Sequence, residues 1–169
     1  MFHGWKGPFD PNYPLCGAST KVWRGSSGKK KRGDCSWTPT HSGLDGKWPS
    51  IAVEVAWTEP PGKLYKDMKF WLTQSSGNVN IVLAVRIYKR GRISIEHWKM
   101  GARTPITVQK IEITRNPAPN CEKIQGSMQL SFEDIHMRPK GPTDTDFVIS
   151  HGDMQNLASQ VWEAQDRNL

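Results

Sequence analysis

Few side chains can hold a hard cation or activate water, and two carboxylates in this chain stand out by their surroundings. Glu54 lies within Ile51-Ala52-Val53-Glu54-Val55-Ala56-Trp57, a run that otherwise reads as core strand. A carboxylate among apolar strands loses its hydration, which is unfavourable unless it is paired or bound to a cation. The plainer alternative is an edge strand that leaves Glu54 in solvent. Asp34 sits at the start of the preceding strand, directly after the basic run Lys29-Lys30-Lys31-Arg32. Two adjacent strands that each deliver one carboxylate make a hard-oxygen site suited to Mg²⁺ or Mn²⁺. Such an ion can activate a water and polarise a phosphodiester.

Other reactive types carry less. Cys16, Cys35 and Cys121 are scattered and odd in number, which points to reduced thiols in an intracellular setting and not to a disulfide framework. No CxxC pair is present for a structural zinc site. His41, His97 and His136 show no ligand spacing, and the serines form no nucleophile motif. Trp23, Trp37 and Trp57 could stack on bases, although tryptophans in such numbers more often build a core. The longest apolar run, Ile81 to Val85, is far too short to span a bilayer. The first eight residues lack the apolar block of a secretory signal.

Charge is unevenly spread. Residues 1–34 hold seven Lys/Arg against two Asp/Glu, and residues 86–110 hold seven against one. A balanced stretch separates these blocks, and residues 111–169 carry nine acids against five bases. Basic faces attract polyanions, the phosphate backbone being the commonest. Lys29, Lys30, Lys31 and Arg32, together with Lys89, Arg90 and Arg92 at a hairpin tip, are therefore the expected nucleic-acid contacts. A solubilising surface is the bland alternative.

The elements that must position these groups follow from periodicity. Residues 1–20, rich in Pro, Gly and Asn, read as a poorly ordered arm, and residues 21–166 as one domain. Short strands are expected at Lys21 to Trp23 and Asp34 to Trp37, with Lys29 to Arg32 as a loop and Thr40 to Lys47 as turns. In the strand Ile51–Trp57, the bulky residues Ile51, Val53, Val55 and Trp57 share one face, and Ala52, Glu54 and Ala56 the other. Pro60-Pro61 suits a helix start, and Leu64, Met68, Trp71 and Leu72 form its apolar stripe through Gln74. Ile81–Val85 reads as a strand buried on both faces. A hairpin follows over Ile93–Trp98, then strands over Ile106–Ile113 and Met128–Phe132, with a loop at Pro117–Asn120. The final helix carries Met154, Leu157, Ala158, Val161 and Trp162 in one stripe, with Ser150 and Asp153 as a capping box. The expected class is α/β or α+β, a mixed central sheet flanked by helices.

The ordered series Gly33-Asp34-Cys35-Ser36-Trp37-Thr38-Pro39, then Trp48-Pro49-Ser50 leading into Ile51 to Glu59, resembles the restriction-endonuclease-like PD-(D/E)XK nuclease superfamily. More narrowly, it is similar to a group of fungal proteins of that fold. The likeness continues through Lys63-Leu64, Asp67, Trp71-Leu72, Ser76 to Val79, Ile81-Val82, Phe132 to Ile135 and Val161-Trp162, about residues 20–165. It implies a restriction-endonuclease-like fold and divalent-metal-dependent hydrolysis of nucleic acid. Asp34 matches the acid of "PD" and Glu54 that of "(D/E)XK". Both would bind Mg²⁺ or Mn²⁺, with the Val55 carbonyl as a further oxygen ligand. Lys31 matches a lysine preceding the motif. Two departures matter: Gly33 replaces the proline, and Ala56 replaces the lysine that would orient the attacking water and counter charge on phosphate. In several branches that lysine migrates to the neighbouring helix, where Lys63, then Lys69, is favoured over Lys66; all three also fit as ordinary solvated lysines. Asp67 fits either a third ligand or an ion-pair partner. The alternative function is a catalytically degenerate module that binds nucleic acid or a protein partner. Nucleases acting on both strands often pair, so a homodimer is a further expectation.

Overall fold

A computed structural model describes residues 22–39, 48–57, 60–115 and 123–167. The expected arm at 1–20, the turns at 40–47 and the loop at Pro117–Asn120 lie outside the described residues. Among the described residues the chain folds as β1 (Trp23–Arg24), β2 (Lys30–Lys31), β3 (Cys35–Trp37), β4 (Ile51–Trp57), α1 (Pro61–Gln74), β5 (Ile81–Ile87), β6 (Ile93–Met100), β7 (Pro105–Thr114), β8 (Lys123–Gln125), β9 (Met128–Leu130), α2 (Phe132–His136), β10 (Phe147–Ile149) and α3 (His151–Asp166). Six strands form a mixed sheet in the order β3-β4-β5-β6-β7-β8. Only β4 and β5 run parallel within it, joined by the crossover helix α1; the other neighbours are antiparallel. Two small antiparallel strand pairs, the β1-β2 hairpin and β9-β10 with α2 between them in the chain, stand apart from this sheet. The class is thus mixed α and β, as expected.

Each sheet face has its own cover. On one, Ile81, Leu83, Ile93, Ile95, Ile111 and Ile113 pack with Met128 and Leu130 of β9, Ile135 of α2 and Met154, Ala158 and Val161 of α3. On the other, Ala52, Ala56, Val82 and Ala84 receive Leu64, Met68, Trp71 and Leu72 of α1. On the bulky side of β4, Ile51 is buried but Val55 and Trp57 are exposed, whereas Ala52 and Ala56 on the other side are both buried. The cause is close approach: small residues let α1 pack directly on the strand, and the cover on the opposite face gives out towards the C-terminal end of β4.

α3 begins at Ser150, whose hydroxyl accepts from the Asp153 amide while the Asp153 carboxylate accepts from the Ser150 amide. Its far end grips the β5-β6 turn: Trp162 Nε1 donates to the Gly91 carbonyl at 2.6 Å and Gln165 Nε2 to that of Tyr88 at 3.0 Å. Gly91 has φ +83°, a conformation that suits glycine at this tight turn. No described helix is long and apolar enough to cross a membrane.

Candidate active site

Glu54 is 4% exposed and lies in an interior strand, which excludes the solvent-facing edge alternative. Its carboxylate points into the layer between β4 and α1. Oε1 accepts from Trp71 Nε1 at 2.6 Å, and the Lys31 ammonium stands 3.2 Å from the same oxygen. Lys31 also contacts Asp67 Oδ1 at 2.8 Å. Of the two roles open to Asp67, the fold therefore displays the ion-pair partner. The β3-β4 register pairs Cys35 with Val53, so one residue on, Asp34 comes opposite Glu54. Asp34 Oδ2 accepts from the Val55 amide at 2.7 Å, which fixes that carboxylate against the strand carrying Glu54.

Burial raises the Glu54 carboxyl from 4.5 to about 7. The Trp71 hydrogen bond and the Lys31 charge act in the opposite direction, and the nearby Asp34 charge adds to the rise. A buried carboxylate thus has an exposed one close enough to act on its charge, a setting that a cation between them would relieve. Trp71 engages Glu54 through Oε1, and the Val55 amide engages Asp34 through Oδ2. This donor set, two hard carboxylate oxygens with a backbone carbonyl at Val55 between the strands, fits Mg²⁺ or Mn²⁺. No group of three or more His, Cys, Asp or Glu side chains among the described residues forms a metal cluster, so any ion here would rest on the two acids and on non-side-chain oxygens.

The lysine that reaches Glu54 is Lys31. Lys63 and Lys69 are both exposed on α1, and neither is among the charges acting on Glu54. Lys31 turns inward because it belongs to the short strand β2, paired with Trp23 of β1, instead of lying in the loop expected for residues 29–32. Its side chain is only 14% exposed, whereas Lys29, Lys30 and Arg32 face solvent. Lys89 and Arg90 are exposed on the turn held by α3, and the Arg92 guanidinium lies 3.8 Å from the centre of the Tyr88 ring.

Two groups escaped the sequence reading. Trp71 looked like a core residue, yet a buried indole N–H needs an acceptor, and the carboxylate expected to be buried nearby was a candidate for it. Trp71 is fully enclosed, with edge-to-face contacts to Trp23, Trp48 and Phe70. Trp23 and Trp37 are likewise core, and Trp57 is exposed. The second is Arg86. It is the register partner of Ala56 on the adjacent strand, so a guanidinium stems from the position beside Ala56. The departure at Gly33 also has a cause: a Cβ there would fall 2.9 Å from the Trp71 ring. Pro49 and Ser50 serve the scaffold, since both are buried and Ser50 Oγ donates to the Ile135 carbonyl at 2.6 Å.

No protein-family model matches the chain, and no curated protein matches its sequence.

Proposed function

We propose that this chain is a divalent-metal-dependent nuclease of the restriction-endonuclease-like fold, hydrolysing phosphodiester bonds of nucleic acid inside the cell. The observation that carries the reading is the juxtaposition of Asp34 and Glu54 across β3 and β4 with the Lys31 ammonium 3.2 Å from Glu54. Asp34, Glu54 and the Val55 carbonyl would hold Mg²⁺ or Mn²⁺. The bound ion would supply a water of lowered pKa and neutralise charge on phosphate. Trp71 and the Val55 amide fix the two carboxylates, each through one oxygen, and so preserve their other oxygens for binding. Lys31 supplies a preorganised positive charge of the kind that the "(D/E)XK" lysine would give; Lys63 and Lys69 remain the helix-borne alternatives. Lys29, Lys30, Arg32, Lys89, Arg90 and Arg92 would steer the phosphate backbone.

A second reading, a degenerate module that binds nucleic acid or a protein partner without cutting, is favoured by one observation. Lys31 is already shared between Glu54 and Asp67, which balances the buried charge without any metal.

The test is cleavage of single- and double-stranded DNA and RNA with Mg²⁺ or Mn²⁺, alongside melting with and without metal. We expect cleavage and a metal-dependent rise in Tm for the wild type, both lost in Glu54→Gln and Asp34→Asn. Equal cleavage by wild type and Glu54→Ala would end the reading. Salt-dependent binding with no cleavage and no metal effect on Tm would establish the second. A duplex substrate would call for a homodimer, visible by sedimentation.

A further inference from the structure

A groove of about 280 Å³ runs between α1 and strands β5 and β6, near the small end of small-molecule sites. Ala84 lines it and is the register partner of Glu54, so the groove lies one strand over from that carboxylate. Its walls are aromatic. Tyr65 of α1, 43% exposed, and Trp98 of β6 meet edge-to-face with ring centres 6.0 Å apart. Its polar groups are Arg86, Ser94 and Glu96. Glu96 is held in place: Oε2 accepts from Trp98 Nε1 at 2.9 Å, and the Lys110 ammonium stands 3.8 Å from Oε1. An oriented carboxylate can only accept hydrogen bonds. Arg86, beside Ala56 in the register, lines this groove.

We propose that the groove binds one unpaired nucleobase bearing an exocyclic amino group, stacked on the exposed Tyr65 ring with Trp98 against its edge. The amino group donates to Glu96, as cytosine N4 does to carboxylates elsewhere, and Arg86 takes the adjoining phosphate. This rests on the nucleic-acid reading of the neighbouring site, and it narrows the substrate to single-stranded or locally unpaired strands. A base inside a duplex is stacked and paired, and cannot enter a groove of this size without being turned out.

The test is binding by the full chain in chelator, where no cleavage intervenes. The probes are labelled oligocytidine and oligouridine, oligodeoxycytidine and oligothymidine, and an abasic oligonucleotide of equal length. The wild type should bind an oligocytidine, ribo or deoxyribo, about tenfold more tightly than the abasic strand, in line with the effect of base–aromatic stacking. Tyr65→Ala, at an exposed position, should erase that difference. Glu96→Gln should erase the preference for cytosine over uracil or thymine, and Arg86→Gln should weaken the base-bearing and abasic strands alike. Equal binding of the abasic strand by wild type, or no binding of any strand, overturns the proposal. Base-dependent binding without metal-dependent cleavage would sustain the groove and sink the nuclease; cleavage without base-dependent binding would do the reverse.

Discussion

At the scale of single residues, the Lys31-Glu54-Asp67 cluster is a charge arrangement with a definite cost of breakage. Lys31→Met removes the cation from a buried carboxylate and a half-buried one, and breaking such pairs is expensive because the surviving charge has no water. The cost is limited here, because a Glu54 carboxyl already raised to about 7 can take up a proton. We expect a loss of about 2 kcal/mol, read from urea unfolding, and substantial recovery in Lys31→Met/Glu54→Gln. His97 offers a pH test remote from that cluster. It is 3% exposed and its Nε2 has no partner among the described residues. Burial, then the Lys99 charge, lowers its pKa from 6.5 to about 4, with Asp134 acting the other way. The unfolded chain therefore binds the proton more readily than the native one between those values. This contribution is present above pH 6.5 and is lost as pH falls towards 4, up to about 3 kcal/mol. His97→Leu should flatten that part of the stability–pH curve, whatever its effect on stability at neutral pH.

At the scale of elements, legibility followed length. β4, α1, β5, β6, β7 and α3 carry enough turns or alternations for the hydrophobic period to show. β2, β8 and β10 have two or three residues each and no period to detect. The strand expected over Met128–Phe132 stops at Leu130, because Ser131, whose hydroxyl accepts from the Asp134 amide, starts α2 at Phe132. The same contrast holds for the site. Glu54 was readable because it interrupts an apolar strand and Asp34 because it stands at the head of the strand before it, whereas four consecutive basic residues hold no sign that Lys31 alone turns inward. Which face of β4 a helix covers was also illegible, since side-chain bulk does not report where the cover lies. The capping box of α3 was readable, and it predicts that Ser150→Ala costs about 1 kcal/mol, measurable by thermal melting. Trp71→Phe keeps the ring of α1 but strips a hydrogen bond from buried Glu54; a loss of about 1–3 kcal/mol is expected in urea.

At the scale of the whole molecule, the cations expected to meet phosphate fall on two elements that the chain holds differently. Lys29, Lys30 and Arg32 ride on the small β1-β2 hairpin, while Lys89 and Arg90 occupy a turn clamped by Trp162 and Gln165. If both contact phosphate, log affinity falls with log salt in proportion to the phosphates neutralised, with a slope of about 0.7 per contact on single strands. Lys29→Ala/Lys30→Ala/Arg32→Ala should then lower that slope by up to about 2, in fluorescence anisotropy titrations, without altering Tm appreciably. A wild-type slope near zero would remove the basic face from the functional account.

Gly33 and Trp71 are thirty-eight positions apart, yet each sets what the other can be. With an indole pressed to within 2.9 Å of where a Cβ would stand, and caged by three further rings, neither partner has room to yield. Gly33→Pro should therefore damage this protein, and it becomes tolerable only after residue 71 has shrunk. Mutational routes between this chain and a proline-bearing one must pass through a particular order of events, and a shuffled library of such sequences would show the two sites inherited as a pair.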